Sequence, residues 1–213
     1  YVFIASGAGL PRFMGITGEN LKGVYSANEF LTRVNLMKAY DKNSDTFVKN
    51  GKQVVVVGGG NVAMDAARCA KRLGAEKVSV VYRRSEQELP ARAEEVIHAK
   101  EEGIDFCVLT NPVKILGDDK GFVLGIQCVN MKLSGEDSSG RRRPEVIPGS
   151  EHVIDCDMVI MSIGTSPNPL IASTTKNLIV DKKGCIVADG RTGKTSLDNV
   201  LSLIHISEPT RRY

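Results

Sequence analysis

No run in this 213-residue chain approaches the ~18 consecutive apolar residues needed to cross a bilayer. With 42% hydrophobic and 25% charged residues it can still bury a core. Neither sign of charge dominates: 28 basic against 25 acidic residues give a net +3, too mild for a nucleic-acid or membrane surface. The five cysteines, Cys69, Cys107, Cys128, Cys156 and Cys185, lie at least 21 positions apart, which excludes CxxC pairs, zinc knuckles and iron-sulfur runs. No metal site is expected, and the cysteine usage points to a reducing, cytoplasmic setting. Tyr-x-x-x-Lys, the signature of short-chain dehydrogenases, is absent. There is no initiator Met either. The chain opens inside an apolar run, Tyr1 to Ala5, that reads as a buried strand, so missing upstream sequence is expected. Residues 201–211, LSLIHISEPTR, read as a translated transposase sequencing adapter; residues 201–213 are set outside fold reasoning and the natural sequence is expected to stop at Val200.

What is present is regularly punctuated. Gly15, Gly18 and Gly23 mark loops before Ser26-Ala27-Asn28-Glu29, a Ser-x-x-Glu capping box that predicts a helix from about Ala27 to Tyr40. Polar residues 41–50 read as a linker. Lys52 to Val57 is a β-branched strand, Asn61 to Leu73 a helix ended by Gly74, and Lys77 to Tyr82 a second strand, which together make a βαβ unit. Ala91 to Glu102 reads as a helix and Ile104 to Leu109 as a strand. Val113–Leu116 and Phe122–Leu133 alternate like antiparallel strands, with polar Ser134 to Pro148 as a hairpin loop. Asp157 to Ile163 is a further buried strand ending at Gly164.

The strongest chemical signal is Gly58-Gly59-Gly60-Asn61-Val62-Ala63, a G-x-G-x-x-A turn between a strand and a helix. Gly58 permits the tight turn, Gly60 lets a pyrophosphate approach the backbone, and Ala63 lets helix and strand pack closely. The phosphates would rest on the helix N-terminus. An NAD-specific fold places an acid at the end of the second strand, on the ribose 2′-hydroxyl. Here the strand ends Tyr82-Arg83-Arg84-Ser85, and two guanidiniums offer charge-assisted hydrogen bonds to a 2′-phosphate instead. NADPH is the coenzyme this implies.

The segments GGGNVAMDAAR (58–68), GAEKV (74–78), VYRRS (81–85) and ELPARAEE (88–95) resemble the NADPH-binding domain of the glutamate synthase small-subunit family. The same family includes the NADPH-binding subunit of bifurcating ferredoxin:NADP oxidoreductases and the flavin domains of dihydropyrimidine dehydrogenase. The resemblance implies an α/β flavoprotein with two dinucleotide-binding domains, a Rossmann-like NADPH domain inserted in an FAD domain that is truncated here. The chain would cross between them at Ile4–Gly7 and Met161–Thr165, which adds Gly164 to the cofactor contacts. Residues 1–48 and 165–200 would then be partial FAD domain and 49–164 the NADPH domain. The implied activity is NADPH-dependent oxidoreduction, with hydride moving between NADPH and FAD and electrons passing to iron-sulfur centres. Implied partners are a glutamate synthase large subunit or a ferredoxin-linked subunit, with neither nucleic acid nor membrane. The fragment itself is expected to be inactive, because the glycine loop that grips the ADP part of FAD and the C-terminal Gly-Asp motif do not occur in it.

The sequence assigns no catalytic residue, since the cofactors supply the chemistry and the protein positions them. His98 reads as a surface or structural residue, and Glu86, Glu88, Glu94 and Glu95 as complements to a helix dipole. Arg141-Arg142-Arg143 reads as a solvated loop run, with docking to an acidic partner as the minority alternative. A thioredoxin-reductase-like role is disfavoured: a redox CxxC is missing, and Glu88 stands where a third arginine is usual. A non-catalytic NADP-binding module remains the alternative from another class.

Overall fold

The computed structural model describes residues 1–136 and 140–203 and divides into two compact units. Arg12–Ile163 form the larger; Tyr1–Pro11 and the described residues from Gly164 onward form the smaller.

The N-terminal part of the smaller unit supplies β1 (Val2–Ile4) and β2 (Leu10–Pro11). The larger unit begins with β3 (Val24–Ser26) and α1 (Ala27–Leu31), where the Ser26 hydroxyl accepts the Glu29 N–H at 3.1 Å. The predicted helix to Tyr40 is shorter than expected: α1 passes into a π-helical turn at Thr32–Leu36. Then come β4 (Gln53–Val57), α2 (Asn61–Arg72) and β5 (Lys77–Tyr82). A 3₁₀ turn at Glu86–Glu88 leads to α3 (Ala93–Glu101) and β6 (Asp105–Val108). Next are β7 (Thr110–Gly117), β8 (Val123–Glu136), β9 (Arg142–Val146), β10 (His152–Asp155) and β11 (Met158–Met161).

Five of these strands form a parallel sheet in the order β3-β11-β4-β5-β6. A strand covered on both faces should be apolar, and β4 is from its second residue on: Val54 and Val56 face one side, Val55 and Val57 the other. The first pair packs with Val78, Val80, Met158 and Ile160 under Phe30, Ala63, Met64, Ala67 and Ala70 of the helices. The second packs with Val81, Val159 and Met161 against Ile115, Val123, Ile126 and Cys128 of the antiparallel strands β7 and β8. The larger unit therefore has three layers: helices, parallel sheet, antiparallel sheet.

Residues 12–48 pack with the larger compact unit, because β3 adds to the parallel sheet through Val24 opposite Val159. One expectation is corrected here. The polar segment 134–148 is more than a loop: β8 continues to Glu136, and Arg142–Val146 pair with it antiparallel, Met131 opposite Val146. Residues 137–139 of that segment lie outside the described residues.

The smaller unit closes with β12 (Thr165–Ser166), α4 (Pro169–Thr174) and β13 (Val200–Ser202). β12 pairs with β2, and β13 runs parallel to β1 with Val200 opposite Val2. Of the suspected adapter residues, 201 and 202 lie in β13, and 204–213 lie outside the described residues.

Candidate functional site

Ligands of open parallel sheets bind at the carboxyl ends of the strands, where chain order reverses. In this sheet the reversal lies at β4. The chain leaves β4 towards β5 through α2, while β11 flanks β4 on the other side. The turn at that point is Gly58–Gly60, and each glycine answers to a different neighbour. Gly58 has φ +137° and donates its N–H to the Val81 carbonyl at 3.0 Å; a Cβ there would lie 2.2 Å from the Ser162 carbonyl oxygen. Any side chain is excluded by the backbone just after β11. At Gly59 a Cβ would lie 2.7 Å from both Tyr82 and Leu89, so the ring and isopropyl group close over the turn. Gly60 has an ordinary φ of −89°, and a Cβ there would meet nothing within 4 Å. The space beside Gly60 is open.

That space faces the start of α2. Gly60 is the N-cap, so no side chain caps the first turn, and the turn carries no acid. The leading backbone N–H groups of α2 have no intrahelical acceptor, and the helix dipole adds partial positive charge at the same place. Ala63 and Met64 are fully buried beneath it, which seats α2 directly on the sheet. Asn61 accepts the Arg92 N–H on Oδ1 at 2.8 Å, and Ala91 donates to the Gly59 carbonyl at 3.1 Å, so the turn is tied to the segment entering α3. Val62 is exposed. Beside Gly58, the buried Ser162 Oγ has no hydrogen-bond partner among the described residues. Sequence reasoning missed Ser162, and Gly59 had no stated role. Both are defined by neighbours distant in the chain.

At the end of β5 the structure separates the two arginines. Arg83 is exposed and enters no ion pair among the described residues. Arg84 is only 5% exposed, and its Nε donates to the Arg142 carbonyl at 2.8 Å. The alternation of a strand end sends neighbouring side chains to opposite faces, so one arginine of the pair goes inward. The following Ser85 caps the 3₁₀ turn: Glu88 accepts its N–H at 3.2 Å and its hydroxyl as well. The Tyr82 hydroxyl donates to the Glu88 carbonyl at 2.8 Å, which fixes the turn over Gly59. Gly164 has φ +97° and opens the smaller unit. His98 is exposed on α3, in keeping with a surface role. No helix among the described residues is long and apolar enough to cross a membrane.

The chain is 41% identical over 203 residues to the NADP(+)-dependent formate dehydrogenase subunit beta of Moorella thermoacetica, covering 94% of this chain and 27% of that one. It is 39% identical over 192 residues to the glutamate synthase [NADPH] small chain of Halomonas elongata, covering 88% and 40%. The chain thus spans well under half the length of these relatives. Among solved structures, Mycobacterium tuberculosis FprA in complex with NADPH matches with a TM-score of 0.75 at 21% identity, over 94% of this chain and 56% of that one. The T. acidophilum thioredoxin reductase matches at 0.67 and 22%, over 95% and 56%. Both likenesses are of fold. The family pattern described as pyridine nucleotide-disulphide oxidoreductase matches residues 1–203, strand, glycine turn and helix included, and the chain belongs to that family.

Proposed function

We propose that the larger unit binds NADPH and that the chain is part of an NADPH-dependent flavoprotein oxidoreductase of the glutamate synthase small-chain type. One observation carries the reading: the uncapped, acid-free N-terminus of α2 opens beside Gly60, and the exposed cation Arg83 stands at the end of β5. The coenzyme fits these residues. The N–H groups of Asn61 and Val62 would receive the pyrophosphate, with the partnerless Ser162 hydroxyl nearby, and Arg83 would hold the 2′-phosphate. Bound NADPH supplies a hydride at its nicotinamide. The chain's own part is to hold the adenosine and pyrophosphate so that the nicotinamide is presented in one orientation.

FAD is implied by the family, but the described residues do not make a complete site for it. Among the described residues the smaller unit has one helix, the six-residue α4, which begins at Pro169 after the Asn168 cap rather than after a glycine turn. No step through a flavin is derived from these residues. The names of the relatives, small chain and subunit beta, support a partner subunit that takes the electrons onward.

Titration calorimetry on the full chain tests the coenzyme reading. NADPH should bind more tightly than NADH, and Arg83→Ala should weaken NADPH by roughly 10- to 100-fold while leaving NADH nearly unchanged. Equal losses for both coenzymes would remove the 2′-phosphate assignment.

A further inference from the structure

At the turn after β5, polar side chains from two distant parts of the chain meet. Arg142, at the start of β9, reaches across to the 3₁₀ turn. Its Nε donates to Glu88 Oε1 at 2.5 Å, and its Nη2 lies 3.3 Å from both Ser85 Oγ and Gln87 Oε1. Its backbone carbonyl accepts a hydrogen bond from Arg84 Nε. The Glu88 side chain is only 9% exposed, whereas that of Arg142 is 44% exposed and can still meet a ligand. A guanidinium carries five N–H donors, and these contacts leave Nη1 uncommitted among the described residues.

We propose that Arg142, and not Arg84, is the second cation that selects the 2′-phosphate, delivered by the β8–β9 hairpin to the place where β5 ends. The inference rests on the NADPH reading above. Two effects act in the same direction. Arg142 offers its outer N–H groups to the phosphate beside Arg83. It also neutralises Glu88, whose carboxylate already occupies the N–H and hydroxyl of Ser85 and would otherwise repel a second anion. A coenzyme lacking the 2′-phosphate gains from neither effect.

The test uses the adenosine end of the coenzyme alone, so no flavin or partner is required. Binding of 2′,5′-ADP and of ADP to the full chain is measured by calorimetry for the wild type, Arg142→Gln, Arg142→Lys and Arg83→Ala. Arg142→Gln should lose about 10-fold in affinity for 2′,5′-ADP and keep its affinity for ADP, with Arg142→Lys intermediate. If Arg142→Gln binds 2′,5′-ADP like the wild type while Arg83→Ala does not, the proposal is overturned and the NADPH reading stands. If Arg142→Gln weakens both nucleotides equally, Arg142 is a fold residue only, which also overturns it. If the wild type itself does not prefer 2′,5′-ADP over ADP, the underlying reading fails as well.

Discussion

Gly58 and Gly60 share one turn yet are fixed by different things. Gly58 is required by the protein, through its left-handed φ and the Ser162 carbonyl against it. Gly60 is required by nothing in the fold. Gly58→Ala should therefore cost about 2 kcal/mol or more in urea unfolding, while Gly60→Ala should stay within about 0.5 kcal/mol of the wild type. Gly60→Val should retain the circular dichroism spectrum and lose NADPH binding, because its side chain would fill the open space beside α2. A Gly60→Val chain that unfolds would assign this glycine to the fold instead. The motif made Gly58, Gly60 and Ala63 legible, since each role follows from the local path of strand, turn and helix. The role of Gly59 was not legible: it depends on Tyr82 and Leu89, which only the folded chain brings over the turn. The inward turn of Arg84 depends likewise on a carbonyl 58 residues away.

Among the elements, the 3₁₀ turn and β9 are joined by charge. The Arg142 guanidinium, and after it the Ser85 hydroxyl, hold the Glu88 carboxyl below the usual carboxylate range. A carboxyl depressed in the folded state stabilises in full above its unfolded value, about 4.3, and ceases to do so as pH falls through the folded value. The stability gap between the wild type and Glu88→Gln should then be constant from about pH 6 to 8 and shrink below about pH 4, read from urea midpoints. Glu102, lowered by Arg72 and Arg68 between α2 and α3, shifts in the same direction, so the variant should keep part of its acid sensitivity. A gap independent of pH would show that Glu88 contributes no charge-dependent stability. The central strands were easy to read because burial on both faces makes them mostly apolar, as in Val54–Val57 and Met158–Met161. β9 was not: Arg142, Arg143, Glu145 and Val146 are exposed, and Pro144 interrupts the pattern as it does on edge strands.

At the scale of the molecule the two units differ in how much they bury. The larger holds both apolar clusters. In the smaller, Leu178 is the one buried hydrophobic residue among those described, while Val2, Phe3, Leu10, Leu170 and Ile179 are each more than half exposed. Apolar surface of this kind drives self-association. A chain of residues 12–163 should remain monomeric in sedimentation at concentrations where residues 1–200 associate. Equal behaviour would mean that the smaller unit's apolar side chains are not the cause. The boundary at Arg12 was hidden from sequence because β3 is three residues long, and its place is set by a parallel partner more than a hundred residues later. Local pattern shows that a strand ends at a glycine, but not which sheet receives it.

The smaller unit is built from segments that precede and follow the larger one in sequence, β2 pairing with β12 and β1 with β13. On the ribosome this arrangement imposes an order. Residues 12–163 are complete and able to collapse before Thr165, the partner of Pro11, has been synthesised. β1 and β2 emerge before the larger unit and acquire these neighbours only after it. A folded larger unit shortens that wait by replacing a long flexible loop with a compact body, which lowers the entropy cost of bringing the ends together. The larger unit thus serves during synthesis as the tether that lets the strands preceding it meet those that follow it.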